Sequence, residues 1–449
     1  MNSKLADYVQ SNYLGSNTWI EDEINQQYHT QRIGEVFNNK EYLSGVHKVL
    51  LREDCKFKEK EFIVKKLVMP VIKSVMNFHS TYLLGNSVSF IGSENVTKAI
   101  QKVYDKGNYK SIDRRLVDKF NKYNDAYEYI YKDNDKIKSK IIASEDGYPI
   151  YNEYGEYIGF IEHWTDRYSN ISYYNLYDFD KVYLWSNEGS ELHIVDQYKN
   201  TSKSLPIHYH NNSDLDERYG EGLLSSIIPV MDEIEDLLSK MGDAVYTLSL
   251  SPLSVTVGQQ LEGEMNKDMV GYNVNLEMGG DIKYINATMD YQSIKYYLDT
   301  IQNEFNLCAY IPSILGGTGN IANVSETSLK MLYQLSDVWA MIAEEVMQTG
   351  FKERYEVICN MLIEEKKLNV SEDDYINFSF NYSRPQNDTE KLNNIKTQRE
   401  IGAMSIQTAI ELSPLTKDTP TELDRLNTEG NTANQSIDTT KEDKVTNKE

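Results

Sequence analysis

The strongest constraint on this chain is a pair of amphipathic helices that flank a short β-rich insert. A glycine-rich loop and a very long helix follow the pair. Apolar residues recur at gaps of three and four over residues 221–248 and again over residues 291–308, which predicts a helix in each stretch. Pro312 ends the second pattern because proline lacks an amide donor. The loop over residues 313–323 follows, and its glycines are Gly316, Gly317 and Gly319. Long helices joined through such a loop are typical of scaffolding rather than of a compact enzyme pocket.

A third apolar pattern predicts one long helix that ends near Lys367. Asn323 and Ser325 compete as its N-cap, and Glu326 completes capping-box spacing with Asn323. Unbroken, the helix would span roughly 60 Å at about 1.5 Å per residue, and a bend is expected at Gly350. Its apolar stripe is predicted at Leu329, Leu332, Leu335, Val338, Ile342, Val346, Tyr355, Cys359 and Leu362.

The rest of the chain predicts an α+β protein with more than one domain or subdomain, since 449 residues exceed one hydrophobic core. Residues 1–45 are predicted helical, and residues 59–84 form an amphipathic helix that Pro70 kinks or breaks. From residue 127 to 206 the apolar period becomes two, which indicates antiparallel strands. Further helices are predicted at 96–106, 112–121, 391–401 and 405–412, and further strands at 253–257, 272–276, 282–285 and 375–382. Residues 428–449 are predicted to be disordered.

The overall charge argues against a conventional nucleic-acid binder. Acidic residues outnumber basic residues by 69 to 46, for a net charge of −23, whereas such a binder needs a basic surface. The three cysteines are far apart in the sequence and indicate neither a disulfide framework nor a zinc site. No window resembles a signal peptide or a membrane span, so we expect a protein that is cytosolic while it is made.

Two patterns suggest an enzyme, and neither is complete. The stretch Gly316–Gly319 is rich in glycine, but GxxxxGK[ST] is absent and the loop follows a helix rather than a strand. His208 and His210 can supply two metal ligands from one strand face, but no third ligand has recognisable spacing. A metal- or nucleotide-dependent nucleic-acid enzyme therefore stays an alternative, and no cofactor is expected.

Six short stretches occur in a fixed order along the chain's predicted elements: Leu83–Val88, Tyr219–Ser225, Ile311–Ser313, Ser325–Lys330, Phe380–Pro385 and Gly402–Ser405. Taken in this order, they resemble the portal proteins of tailed double-stranded-DNA bacteriophages of the long-tailed type. The resemblance covers most of residues 42–422, and the collinear order carries it more than any single motif.

The resemblance implies a portal fold with an α/β wing, a two-helix stem, a small β-rich clip, a long wing helix and a short helical crown. The implied divisions are the wing at 1–220, stem helices at 221–250 and 290–311, the clip at 251–289, the tunnel loop at 312–324, the long wing helix with its return strand at 325–385, the crown at 386–420 and a disordered tail at 421–449.

The resemblance also implies a function without catalysis. Copies of the chain would form a ring, usually of twelve, at one capsid vertex, through which DNA is packaged and ejected. The implied partners are the large terminase subunit, a head–tail connector, the major capsid and scaffolding proteins and the passing duplex, with no membrane. The protein would reside in the virion and in the host cytoplasm during assembly. Another phage head or tail adaptor ring is the structural alternative.

Site residues are expected in three places. In the tunnel loop, DNA would meet Ser313, Leu315, Gly316, Gly317, Thr318, Gly319, Asn320 and Asn323. The clip would dock partners through Val255, Val257, Tyr272, Val274 and Tyr284. The tunnel lining would include Asp232, Glu233, Glu235, Asp236 and Lys330. The four acids form either an ordinary solvated helix face or, around a ring, an acidic wall that repels phosphate over roughly 8–10 Å. Lys330 is equally a phosphate contact or a solvated residue.

Overall fold

The structure is a computed structural model that describes residues 2–57, 60–189, 191–211, 213, 218–245, 253–257, 278–285, 290–312, 330–371, 373–384, 388–416, 421–426 and 428–429. For residues 55–57, 60–62, 253–256 and 282–285 it describes the backbone alone. The chain divides into two units, one formed by residues 1–319 and 332–383 and the other by residues 320–331 and 384–449. Helices and strands alternate irregularly, which confirms the predicted α+β class.

The first unit begins with helices that pack on an antiparallel sheet. The helices are α1 (Ser3–Tyr13), α2 (Trp19–Ile24) and α3 (Gln27–Ser44), as predicted for residues 1–45. The sheet is a meander of β6 (Gly147–Tyr151), β7 (Tyr157–Thr165), β8 (Ser172–Tyr177), β9 (Lys181–Ser186) and β10 (His193–Lys199), in the order β10-β9-β8-β7-β6. Leu5 and Trp19 lie in one core with Ile150 and Ile161, so the N-terminal helices cover one face of the sheet.

The segment after α3 corrects one prediction. Instead of a helix over residues 59–84, a short hairpin, β1 (Cys55–Phe57) with β2 (Lys60–Phe62), precedes an extended stretch. Helix α4 (Val71–Leu84) starts only after Pro70, which is its N-cap residue. Proline disfavours helical conformation in the residue before it, so the predicted break at Pro70 is confirmed and the helix N-terminal to it is wrong.

A second core joins both ends of the unit. It contains β3 (Ser89–Gly92), α5 (Glu94–Gly107) and α6 (Tyr109–Tyr123), together with a sheet of β4 (Asp125–Asp133), β5 (Lys136–Ile142) and β11 (Ile207–His210). From the other end of the sequence come α9 (Gln334–Glu364) and β14 (Ile376–Ser379), whose strand pairs antiparallel with β3. The predicted return strand is thus confirmed in a shorter form.

The long helix α9 differs from its prediction in two ways. Residues 330–332 are helical, but a turn at Tyr333 separates them from α9. The buried face of α9 carries Trp339, Ala340, Ala343 and Met347 rather than the predicted Val338 and Ile342. Apolar residues surround its N-terminal half on more than one side, so periodicity alone selected the wrong stripe there. In the C-terminal half the predicted Tyr355 and Leu362 are buried and Cys359 packs against the same core, which confirms that part of the stripe. At Gly350, where a bend is predicted, α9 is continuous as a helix, and an added Cβ would lie 2.1 Å from Cε1 of Tyr209.

The central elements match the sequence closely. Helix α7 (Leu223–Val245) and helix α8 (Tyr291–Cys308) flank two paired strands, β12 (Leu253–Val257) and β13 (Asp281–Ile285). In the second unit, α10 (Asp388–Glu400) and α11 (Ile406–Leu412) are separated by Gly402, whose φ of +76° favours glycine. The predicted strand at 272–276 and the predicted cap at Asn323 lie outside the described residues.

Candidate functional site

The acidic face predicted on α7 is largely covered by the same chain. Glu235 is fully buried, and its carboxylate lies 2.8 Å from Nδ1 of His47. The other ring nitrogen of His47, Nε2, donates to the carbonyl of Tyr42 at 3.0 Å. Both ring nitrogens of His47 thus have hydrogen-bond partners, and the buried contact with Glu235 holds the segment after α3 to α7. Glu235 therefore does not belong to an exposed wall, which corrects its predicted place in the tunnel lining.

An extended segment runs beside α7 and bonds to it at regular intervals. The amide of Lys65 donates to Oδ1 of Asp243 at 2.7 Å, that of Leu67 to Oγ of Ser239 at 3.0 Å, and that of Met69 to Oε1 of Glu235 at 2.7 Å. We call this set of three bonds the amide ladder.

The amide ladder works because two different periods coincide. Alternate residues of an extended chain are about 6.6 Å apart, and helix residues four apart are about 6 Å apart. Glu235, Ser239 and Asp243 supply acceptors at that helical interval, in the direction opposite to the extended segment. The sequence signal is a row of acceptors at spacing four, whereas the acids of α7 are predicted from the sequence to lie on either a solvated helix face or a channel wall.

Arg52 completes the cover. Its Nη2 atom lies 2.9 Å from Oδ2 of Asp243, and its Nε atom lies 3.5 Å from Oδ1 of Asp236. Asp236 is half-buried and also pairs with Lys240 at 2.6 Å, so basic side chains of the same chain compensate its negative charge. Burial raises the pKa of the half-buried Asp232, against the lowering effect of Lys48. Of the four predicted acids, Glu233 alone is exposed.

The remaining predicted site residues are only partly described. Val257 is exposed at the end of β12, and Tyr284 lies in β13 opposite Ser254. Val255 is paired with Lys283 in the same two strands. Lys330 is exposed. The positions outside the described residues are Ser313, Leu315, Gly316, Gly317, Thr318, Gly319, Asn320, Asn323, Tyr272 and Val274.

The histidine pair does not form a metal centre. His208 is buried, and its Nε2 donates to Oδ1 of Asp125 at 2.8 Å while its Nδ1 accepts from the hydroxyl of Tyr151 at 2.8 Å. Burial lowers the pKa of His208 to about 4, so the ring is neutral and both nitrogens are occupied. Asp125 also accepts from the amide of Gly220 at 3.1 Å, next to the start of α7. These contacts link the sheet to the helix and leave neither ring nitrogen of His208 for a metal.

A second buried network lies around α9. Nε of Arg354 donates to Oε2 of Glu128 at 2.9 Å, and the same oxygen accepts from the hydroxyl of Tyr209 at 2.6 Å. Nη1 of Arg354 contacts Asp113 and lies 2.8 Å from the hydroxyl of Tyr104. Burial raises the pKa of Asp113 to about 6 against the lowering effect of Arg354, and the negative charge of Glu128 adds to the increase. The network joins α5, α6, β4 and β11 to α9.

Taken over the described residues, no helix is long and apolar enough to cross a membrane, and no group of three or more side chains is arranged to hold a metal ion. What the geometry provides is a two-helix element, α7 with α8, whose first helix is fastened to a mixed α/β body.

The family comparison agrees with this architecture. The family described as "Phage portal protein, SPP1 Gp6-like" matches residues 22–436. The chain therefore belongs to the phage portal protein family, which confirms the family predicted from the sequence. Among individual proteins, the chain is 23% identical over 317 residues to the "Portal protein" of Bacillus phage SPP1. That match spans 67% of this chain and 59% of the relative, which is less than two thirds of the relative's length.

Solved structures of gene transfer agent (GTA) particles are also similar. "Neck of empty GTA particle computed with C6 symmetry" matches with a TM-score of 0.49 and 12% identity over 78% of this chain and 91% of that chain. "Neck of native GTA particle computed with C12 symmetry" matches with a TM-score of 0.48 and 11% identity over the same shares. Both TM-scores are below 0.5, so the family assignment depends on the sequence match.

Proposed function

We propose that this chain is the subunit of a homo-oligomeric ring, with twelve copies as the family resemblance implies, through which duplex DNA enters and leaves a capsid. Helix α8 carries the proposal. Its apolar residues Tyr291, Ile294, Leu298 and Ile301 follow helical spacing, yet Phe305 is the one described residue of α8 that is buried. Tyr291 is 68% exposed, and Ile294, Leu298 and Ile301 are only half-buried. An amphipathic helix whose apolar face is only partly covered in one copy gains stability when another copy covers the rest.

Helix α9 supports the same proposal. Val338, Met341 and Ile342 form an exposed apolar stripe opposite the buried face, and Met341 is 65% exposed. A closed ring needs a heterologous contact, in which one surface of each subunit meets a different surface of the next. The partly exposed stripe of α8 and the exposed stripe of α9 are two different surfaces available for such a contact.

Negative-stain microscopy of the purified protein tests the proposal. We expect end-on rings with a central hole wide enough for duplex DNA. A compact monomer at high protein concentration would overturn the proposal. A ring with a hole too narrow for a duplex would favour the alternative of an adaptor with another role.

We further propose that Glu233 is the acid of α7 that faces the channel. It is exposed, and the hydroxyl of Tyr297 on α8 donates to its Oε1 at 3.2 Å. Glu233→Lys should slow packaging in a reconstituted assay, because a cation there attracts phosphate. Tyr168→Lys on the β7–β8 turn is the control at an exposed position away from α7. Equal packaging rates for the two variants would show that Glu233 does not face the channel.

The loop and clip assignments also stay proposals. Residues 312–324 are proposed as the tunnel loop. Deletion of Gly316–Gly319 should preserve rings yet impair packaging or DNA retention, and misassembled rings would show that the loop has a structural role instead.

The strands β12 and β13 are proposed to dock the terminase motor and, later, the head–tail connector. Val257→Asp should weaken terminase capture by the ring, and Tyr168→Asp is its control at another exposed position. Unchanged capture would place docking elsewhere.

The cellular setting follows from the same proposal. The ring would occupy the portal vertex of the virion, beside the major capsid and scaffolding proteins, after assembly in the host cytoplasm. We propose no catalytic step for the chain itself, since His208 is used inside the fold. Robust nuclease or ATPase activity that is lost in His208→Ala would contradict this assignment.

A further inference from the structure

A lysine-rich groove lies on the first unit, away from the stem helices. Its volume is about 500 Å³, and it lies between α5, the start of β5 and the end of α9. Five lysines line it against two carboxylates, which reverses the charge ratio of a chain with 69 acidic and 46 basic residues. The lysines are Lys98, Lys102, Lys106, Lys136 and Lys367, and the carboxylates are Asp135 and Glu365.

The groove keeps cationic charge after its internal pairs are counted. Glu365 is already paired with Lys132 and Lys367, and Lys98 is paired with Glu94 on the same helix. Within the described ranges, no carboxylate forms an ion pair with Lys102, Lys106 or Lys136. Those three side chains are exposed and face an open surface.

The floor of the groove is apolar. Ala99 and Val103 follow the lysine row along α5, and the buried Ile137 and Leu362 lie beside them. Ala99 and Val103 are only partly buried, so apolar surface remains accessible between the lysines. A purely ionic ligand would leave this surface unused.

Spacing and size define the ligand that fits. Lys98, Lys102 and Lys106 are four residues apart, so they recur about every 6 Å, the interval of carboxylates at positions i and i+4 of a helix. A volume of about 500 Å³ corresponds to roughly one turn of a helix about 10 Å wide. Duplex DNA would present phosphates to the rim and nothing apolar to the floor.

We propose that this groove binds an acidic amphipathic helix of another protein. The apolar stripe of that helix would pack on Ala99 and Val103, and its carboxylates would pair with Lys102, Lys106 and Lys136. This is helix-in-groove recognition with electrostatic selection of the partner. The proposal does not depend on the channel function.

Binding of designed peptides to the full-length protein tests the proposal. The first fluorescent probe is a helical peptide with leucine at positions i, i+3, i+4 and i+7 and glutamate elsewhere on its flanks. The second has the same composition in an order that gives no apolar stripe, and the third is a short DNA duplex. We expect the amphipathic peptide to bind at least about tenfold more tightly than the other two probes.

A charge-reversal variant identifies the surface. K102E/K106E/K136E should lower affinity for the amphipathic peptide about tenfold or more. K181E/K199E/K352E changes the net charge equally at exposed lysines elsewhere and should have little effect. Equal losses in both variants, or equal binding of the two peptides, would overturn the proposal, and so would tighter binding of the duplex through the three lysines.

The oligomeric state of each variant separates this proposal from the ring. Mass photometry on the same samples should give the same distribution for K102E/K106E/K136E as for the unmodified protein. Loss of assembly in that variant alone would assign the groove to a subunit contact and overturn the proposal. Failure of the unmodified protein to form rings would contradict the channel function and leave the peptide result as the test of the groove.

Discussion

The amide of Met69 donates a hydrogen bond to the buried carboxylate of Glu235 at 2.7 Å, and this bond joins an extended segment to helix α7. It is one of the three bonds of the amide ladder. Because of the ladder, acids of α7 that could have faced DNA instead accept hydrogen bonds within the chain.

Removal of the Glu235 carboxylate should destabilise the protein strongly. Glu235→Ala leaves His47 and the Met69 amide without their buried acceptor, and loss of one partner of a buried pair costs about 3–5 kcal/mol in the free energy of unfolding. Urea unfolding followed by circular dichroism measures this. Glu233→Ala, two residues earlier on the exposed side, should change stability by less than about 0.5 kcal/mol. Similar values for the two variants would contradict the buried role of Glu235.

The Arg354 network should respond in the same way at the other side of the unit. Arg354→Met removes the guanidinium that Glu128 and Asp113 share, and we expect a loss of about 3–5 kcal/mol in unfolding free energy. Lys352→Met on the exposed face of the same helix is the matched control. If Arg354→Met lowered the unfolding free energy no more than Lys352→Met does, Glu128 and Asp113 would have to be solvated, and the buried network would be refuted.

Two helical glycines should respond oppositely to alanine. At Gly350 a Cβ would lie 2.1 Å from the ring of Tyr209, and such overpacking costs about 1–3 kcal/mol, more than the helix-propensity gain. At Gly34, inside α3, a Cβ meets nothing within 4 Å, so alanine should stabilise by up to about 1 kcal/mol. Thermal unfolding of Gly350→Ala and Gly34→Ala compares them. Stabilisation by both changes would show that α9 and β11 are not in close contact.

His208 should make stability depend on pH. Burial lowers its pKa from 6.5 to about 4 in the folded protein, so the unfolded chain binds more protons between these values. The contribution is full above pH 6.5 and is lost as pH falls towards 4, by up to about 3 kcal/mol. Asp113 acts in the opposite direction, because its pKa is raised to about 6.

The measurement for His208 is therefore a difference between two proteins. His208→Gln keeps a donor to Asp125 but does not titrate, and Asp113 contributes equally to both proteins. The unfolding free energy of the unmodified protein minus that of His208→Gln should fall as pH is lowered from 6.5 to 4. A pH-independent difference would mean that His208 titrates alike in the folded and unfolded states.

The sequence predicted the bounds of the helices better than it predicted which side of a helix is buried. The bounds of α8 were predicted to the residue, because Pro312 and an unmixed apolar period define it. On α9 the apolar residues lie on two sides, and a period of 3.6 does not tell which side packs within the chain and which side is exposed. The predicted Val338 and Ile342 belong to the exposed stripe.

The candidate site was limited by contacts that are distant in sequence. Glu235 and Met69 are separated by 166 positions, and no local pattern connects an acceptor row on a helix with amides of an extended segment. Arg354 and Glu128 are 226 positions apart, and a lone arginine on a helix resembles any solvated one. The resemblance identified the family, whereas the internal use of the acids could be found only from three-dimensional contacts.

The central claim is that copies of this chain close into a ring around a channel, with the exposed stripe of α9 at a subunit contact. Native mass spectrometry of the purified protein, compared with Met341→Glu, tests this most directly. The account predicts closed oligomers, near twelve copies, for the unmodified protein and, for Met341→Glu, monomers whose far-UV circular dichroism spectrum shows that they are folded. Monomers for the unmodified protein at every concentration, or intact rings for Met341→Glu, would contradict it.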